Sequence, residues 1–222
     1  MNESSPNPDR MRAFVTGRLT WARRSIAVAV LTGLLTSLPA FARETDFAYC
    51  TVCHGTAGGG NAAIGAPRLA GLDAWYVERQ LRAFTEGWRG GADDDDGGEQ
   101  MRAVALALRD ASATAGAVKY AAALRVDPRR PVLTGNADHG KQLYTACAAC
   151  HGQQGEGNAA LGAPRLAQQN DWYLVRQIDK YLRGLRGVHP QDTTGLQMRA
   201  AATATLEDQP AIDDVVAYIG TL

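Results

Sequence analysis

The chain has 222 residues, of which 45% are hydrophobic and 21% are charged. This balance is typical of a folded protein rather than a disordered one. Lys plus Arg and Asp plus Glu both total 23, so the formal net charge is zero, whereas a nucleic-acid binder usually carries a strong basic excess. No segment has about 18 or more consecutive strongly apolar residues, which excludes a multi-span membrane protein.

The N-terminal segment has the composition of an export signal. Five arginines precede an apolar stretch at residues 25–38, which is short for a membrane span and suits a secretory signal. A proline and an Ala-Phe-Ala cleavage site follow at residues 39–42. We therefore predict a signal peptide at residues 1–42, cleaved after Ala42, and a periplasmic mature protein. Twin-arginine export through Arg23-Arg24, or retention of the segment as an uncleaved anchor, are the alternatives.

The remainder of the chain contains an internal repeat. Residues 61–76 (NAAIGAPRLAGLDAWY) and 158–173 (NAALGAPRLAQQNDWY) are identical at 11 of 16 positions, with an offset of 97. The same offset relates Cys50 to Cys147, Cys53 to Cys150, His54 to His151, Pro67 to Pro164, Gln80 to Gln177 and Met101 to Met198. Near the end of each copy the offset becomes 98. A fixed period of this kind indicates two similar domains.

We predict a first domain at residues 43–126 and a second at residues 137–222. The linker between them, residues 127–136, begins with DPRRP, which a helix does not continue through. Apolar residues recur at helical spacing at residues 72–86, 112–124, 172–185 and 210–222. Because no run shows sustained alternation of apolar and polar residues, the expected fold is all-α.

The cysteines provide the strongest chemical signal. Residues 50–54 (CTVCH) and 147–151 (CAACH) both fit Cys-x-x-Cys-His, the pattern of haem c attachment. Two thiols three residues apart lie on one face of a helical turn and bond the two vinyl groups of one porphyrin, and the next residue places an imidazole below the iron. We predict two haem c groups, held covalently by Cys50, Cys53, Cys147 and Cys150, with His54 and His151 as axial ligands. Domains this small also need a staple, metal or cofactor to complete their core.

Three other uses of these cysteines are less consistent with the sequence. Thioredoxin-like redox pairs accompany a βαβ pattern, which is not found here. A zinc site needs further ligands at the usual spacing, and these are lacking. Disulfides are compatible with an oxidising compartment but leave both motif histidines unexplained.

Methionine is the candidate for the second axial position of each iron. The mature chain contains two methionines, Met101 and Met198, each 47 residues after the motif histidine of its own copy. A core methionine is the common alternative, because thioethers fill gaps well. His/Met ligation raises the reduction potential and leaves no open position, which favours electron transfer over catalysis. The unrepeated His139 and His189 are interpreted as surface or local hydrogen-bonding residues, with a role as sixth ligand as the alternative.

With these motifs, and with the Gly-Ala-Pro-Arg-Leu and Gln-Met-Arg segments of each copy, the chain resembles the class I cytochromes c. The resemblance is strongest to the dihaem, two-domain periplasmic group called cytochrome c4, and it covers essentially the whole mature chain. It implies two tandem helical domains, each wrapped around one haem. It also implies that Pro67 and Pro164 offer their carbonyls to the haem histidines, which fixes the tautomer of each ligand.

The resemblance gives further residues a possible role. Arg68 and Arg165 follow the two prolines and are candidates to meet a haem propionate. The Trp-Tyr pairs at residues 75–76 and 172–173 are candidates to pack on the haem or to donate to the propionates, and ordinary packing between helices is the alternative.

Two features depart from the family pattern. If cleavage follows Ala42, the first copy keeps only seven residues before Cys50, so its first helix has no room to pack on its last helix. The second copy has a proper lead-in, with Gly140 and Tyr144. The other departure is the run Asp93–Asp96, which we interpret as a solvated loop, with a docking site for a basic partner or a weak calcium site as alternatives.

The expected function is transfer of single electrons between a respiratory donor and a terminal acceptor. The resemblance suggests a quinol-oxidising complex or a dehydrogenase upstream and a haem–copper oxidase or a reductase downstream. The alternatives are a dihaem enzyme, either a peroxidase or a sulfur-compound dehydrogenase, and a fixed electron-transfer subunit of a dehydrogenase complex.

Overall fold

The computed structural model describes residues 47–108, 110–125 and 131–222. The predicted signal peptide, its cleavage site and the start of the predicted linker lie outside these residues. Below, the first half denotes residues 47–125 and the second half denotes residues 131–222.

Each half contains four α-helices. In the first half these are α1 (Cys50–His54), α2 (Ala74–Thr85), α3 (Asp96–Ala107) and α4 (Ala111–Ala123), and in the second half α5 (Ala137–His151), α6 (Asp171–Leu182), α7 (Thr193–Thr205) and α8 (Gln209–Ile219). The described residues form no strand, only isolated bridges at Asn61–Ala66 and Asn158–Ala163. The expected all-α fold is confirmed. Among the helices described, none has the length and apolar character needed to cross a membrane.

Helical periodicity located α2, α4, α6 and α8 to within a few residues, but it did not reveal α3 and α7. These two helices are rich in Gly, Ala and Thr, so they lack a clear apolar stripe. Both begin at an aspartate cap. The carboxylate of Asp95 accepts from the backbone N–H of Gly98 at 2.9 Å, and that of Asp192 accepts from Gly195 at 3.0 Å.

The two halves bury separate hydrophobic cores. In the first, Phe47, Leu81 and Phe84 pack with small residues of α3 and α4. In the second, the core contains Tyr144 and a row of apolar residues on α8, of which Val216 is completely buried. Each half therefore has its own packing centre.

The two halves differ most from each other in their first helix. In the second half, α5 has 15 residues and crosses α8 so closely that a Cβ at Gly140 would overlap the backbone of Asp214. In the first half, α1 has only five residues. Phe47, the repeat equivalent of Tyr144, takes over the contact with the last helix and lies against Gly116 of α4. The backbone contact between first and last helices is thus replaced by a single aromatic ring.

Candidate haem sites

All four cysteines are free thiols at the two motifs. Cys50 and Cys147 are partly buried and pack against the core of their own half, whereas Cys53 and Cys150 are exposed. Burial raises the pKa of the Cys50 and Cys147 thiols. The disulfide interpretation finds no support in these thiols. In the described part of the chain, no three His, Cys, Asp or Glu side chains cluster as a metal site.

Each motif histidine is buried and held by one hydrogen bond. The Nδ1–H of His54 donates to the carbonyl oxygen of Pro67 at 2.7 Å, and that of His151 donates to Pro164 at 2.8 Å. Burial lowers the pKa of both imidazoles, and the proline carbonyls partly oppose this shift. A carbonyl only accepts, so Nδ1 carries the proton and Nε2 keeps its lone pair. This is the tautomer that a metal-binding histidine requires.

The two candidate methionines occupy equivalent places. Met101 is the sixth residue of α3 and Met198 the sixth of α7, and both side chains are partly buried. Met101 also contacts the core of the first half. The unpredicted helices α3 and α7 therefore position the predicted sixth ligands.

Two arginines beside these sites have buried donors that lack a partner. The Nε atoms of Arg102, next to Met101, and of Arg165, next to Pro164, are buried and find no acceptor among the described residues. An unsatisfied buried donor costs about 1–3 kcal/mol, so such atoms usually mark a missing acceptor. The Nε of Arg186 also lacks a partner, but Arg186 lies in the interface between the halves. The donors of Arg102 and Arg165, beside a candidate ligand and its proline loop, are the ones that fit haem propionate carboxylates. Arg68 behaves differently, because its Nε donates to the carbonyl of Ala70 at 2.8 Å.

A hydrogen-bond network that the sequence interpretation missed joins the two halves. Arg89 donates to Gln80 at 2.7 Å and to Gln177 at 2.9 Å, and Arg186 donates to Gln177 at 2.9 Å and to Gln80 at 3.0 Å. Each glutamine oxygen thus accepts from both arginines. All four residues are related by the offset of 97, and this shared offset was the signal that could have revealed them.

The repeated tyrosines belong to the same network. The hydroxyl of Tyr173 accepts from Arg89 at 2.9 Å, and Arg186 bonds the side chain of Tyr76. Each guanidinium also lies over an aromatic ring of its own half, Arg89 at 4.5 Å from the centroid of Phe84 and Arg186 at 4.7 Å from that of Tyr181. These tyrosines therefore have an interface role beyond helix packing.

The aspartate run is only partly a solvated loop. Asp93, Asp94 and Asp96 are exposed, but Asp95 is 3% exposed and forms an ion pair with Lys180 of the second half. The interpretation of the whole run as solvated is therefore wrong for Asp95. Its burial follows from its place as the cap of α3, which faces the other half.

Each unrepeated histidine contacts the side chain of a residue distant in the sequence. The Nδ1 of His139 lies 2.8 Å from a carboxylate oxygen of Asp214, and the His139 side chain is half exposed. The ring of His189 stacks on Trp88 of the first half, with ring centroids 5.9 Å apart. His139 is a hydrogen-bonding residue at the surface, as expected, while His189 contributes to the contact between the halves.

Comparisons with known proteins agree with this geometry. The family model described as Cytochrome c matches residues 137–222. A relative from Thiomonas intermedia, named thiosulfate dehydrogenase electron acceptor, is 35% identical over 208 residues, which is 87% of this chain and 90% of the relative. The solved structure of cytochrome c4 from Acidithiobacillus ferrooxidans superimposes with a TM-score of 0.61 and 30% identity, covering 78% of this chain and 98% of that one.

A thiosulfate dehydrogenase from Marichromatium purpuratum matches over part of its length. Its TM-score is 0.60 at 30% identity, and the match covers 78% of this chain but 36% of that one. The likeness to cytochrome c4 and to the Thiomonas relative extends over nearly their full length. The chain therefore belongs to the cytochrome c4-like class I cytochromes c, electron-transfer proteins that hold haem c covalently.

Proposed function

We propose that this protein is a periplasmic dihaem carrier that passes single electrons from a respiratory donor to a terminal acceptor such as a haem–copper oxidase. The observation that carries the proposal is the duplicated site, in which two free thiols precede a buried histidine held by a proline carbonyl. The residues that would hold the two haems are Cys50, Cys53, His54 and Met101 in the first half, and Cys147, Cys150, His151 and Met198 in the second.

The protein residues would restrict each site to electron transfer. A bound haem c supplies a one-electron couple. The Pro67 and Pro164 carbonyls keep each histidine in one tautomer and raise the basicity of its Nε2. Met101 and Met198, as second ligands of the two irons, would close each site to substrate. Because Cys53 and Cys150 are exposed, a redox partner could approach the surface beside these two residues. Electron transfer to the partner would then need no bond to be made or broken.

The similarity to a thiosulfate dehydrogenase electron acceptor favours one donor over the others. We propose an upstream thiosulfate-oxidising dehydrogenase, with this chain as its soluble acceptor or as a bound subunit. The match to part of a thiosulfate dehydrogenase structure supports the same pairing.

Redox titration of the mature protein, followed by visible spectra, tests the proposed carrier. We expect a protein mass that includes two haems, two one-electron steps, and the long-wavelength absorption band of an Fe–S(Met) bond at both irons. A mass with fewer than two haems would contradict the proposal. A haem that lacks the methionine band and turns over peroxide would favour a dihaem peroxidase instead.

Stopped-flow reduction tests the donor. We expect a thiosulfate dehydrogenase supplied with thiosulfate to reduce both haems faster than a quinol-oxidising complex supplied with quinol. The reverse order would assign the quinol-oxidising complex as donor. Thiosulfate oxidation by the purified chain alone would show that it is itself the enzyme.

A further inference from the structure

Two side chains of the second half hold the loop that carries Pro67. The backbone N–H of Arg68 donates to Oδ1 of Asn170 at 2.8 Å, and its carbonyl accepts from Nε2 of Gln169 at 3.0 Å. Asn170 Nδ2 also donates to the carbonyl of Gly59 at 3.3 Å. The two amides thus pair with both backbone groups of the residue that directly follows Pro67.

Among the described residues, the second half holds a loop of the first half through these bonds, but the first half has no equivalent bonds to the second. At the repeat-equivalent positions the first half has Leu72 and Asp73, neither of which has an amide N–H in its side chain. Asp73 is the N-cap residue of α2 and forms no side-chain capping bond. The first half therefore lacks the chemistry to hold the Pro164 loop in the same way.

The backbone around Asn170 is arranged for the contact. Asn170 is the N-cap residue of α6, yet its side chain makes no capping bond, because it reaches the first half instead. Gln168, two residues earlier, has φ 66° and is the non-glycine residue with positive φ in the described chain, whereas its repeat equivalent is Gly71. A left-handed non-glycine residue is unusual, and this one lies in the turn from which both amide side chains reach the first half.

We propose that Gln169 and Asn170 are positioning residues for the first haem, holding the Pro67 carbonyl on the Nδ1–H of His54 so that docking of the second half sets the ligand strength at the first iron. This proposal rests on the proposed function, because it requires iron bound by His54. The hydrogen bond from Nδ1 makes Nε2 a stronger donor, which favours ferric iron. If the loop relaxes, that bond weakens and the reduction potential of the first haem rises.

The test uses the full-length protein with both haems bound. Asn170→Ala removes two of the three bonds to the Pro67 loop. Gln169→Leu copies the first-half residue and removes one bond to the loop, together with the bond that its Oε1 accepts from the Asn170 N–H at 2.8 Å. Asp73→Ala is the matched control at the repeat-equivalent position. We expect Asn170→Ala to raise one of the two reduction potentials and leave the other in place. Gln169→Leu should raise the same potential by less, and Asp73→Ala should move neither.

Hydrogen exchange at the Arg68 amide supplies a readout independent of the haems, and we expect exchange to become faster in Asn170→Ala. Faster exchange with both potentials unchanged would overturn the proposal, since the contact would then be structural only. Equal shifts of both potentials would overturn it as well. If Asn170→Ala does not fold, the same readings on Gln169→Leu decide. A wild-type protein with fewer than two haems would instead overturn the proposed function.

Discussion

The two halves repeat one sequence pattern but are held together by different means. The second half closes its core with the 15-residue α5 packed on α8, while the first half has the five-residue α1 and one ring, Phe47. The loop of the first half that carries Pro67 is also held from outside by Asn170. The repeat has preserved the candidate ligand positions, but not the packing that supports them. We therefore expect the first half to depend on the second half, and on a bound haem, more than the second half depends on the first.

The largest expected effect is loss of one haem. Cys50→Ser with Cys53→Ser, and Cys147→Ser with Cys150→Ser, should each yield a protein with one haem. Since α1 is too short to close the first core, we expect the first double variant to lose far more helix by circular dichroism. Equal helix loss in the two would show that the halves are equally self-sufficient.

The aromatic residues three positions before each motif compare the two cores directly. We expect Phe47→Ala to lower the free energy of unfolding by about 3 kcal/mol, in line with other buried phenylalanine truncations, and to expose residues 50–54 to rapid hydrogen exchange. Tyr144→Ala should leave α5 protected, because the contact between Gly140 and α8 remains. If hydrogen exchange at the motif residues becomes faster to the same extent in both variants, the first helix is held equally well in the two halves and the expected difference is wrong.

The interface network predicts that equivalent substitutions in the two halves lower the stability of the protein equally. Gln80→Leu and Gln177→Leu each remove an acceptor shared by two buried guanidinium groups, so each should destabilise the protein by about 2 kcal/mol in denaturant unfolding. Arg183→Ala is the control, because this arginine is half exposed and pairs with Asp94 and Asp179 on the surface. A large difference between the two glutamine variants would contradict the symmetry of the network.

The smallest effect concerns the backbone at Gln168. The left-handed conformation costs a non-glycine residue roughly 1 kcal/mol in the folded state, and glycine avoids this cost. Part of the gain is lost because glycine has more conformational freedom in the unfolded chain. Gln168→Gly should therefore stabilise the protein by about 0.5 kcal/mol, and Gly71→Gln should destabilise it by a similar amount. Thermal unfolding measures both, and a loss of stability in Gln168→Gly would show that this residue is not strained.

Sequence pattern predicted the features that depend on residues close together in the chain. The spacing of thiols and histidine within one helical turn identified both motifs, and apolar periodicity located α2, α4, α6 and α8. It missed α3 and α7, because helices rich in Gly, Ala and Thr bury small residues without a clear stripe. Even so, the two methionines on those helices were singled out, from their equal distance to the motif histidines.

The sequence by itself determined that the chain is helical, that it is built twice, and which residues are candidates to bind two haems. These features depend on short spacings and on the repeat offset, both of which are visible in one dimension. Only the tertiary structure decided that Asp95 is buried on Lys180, that Arg89 and Arg186 share two glutamines, and that Asn170 holds the Pro67 loop. Such contacts join residues far apart in the chain. Docking of the two halves buries their polar groups, and a buried polar group is costly unless it finds a hydrogen-bond partner.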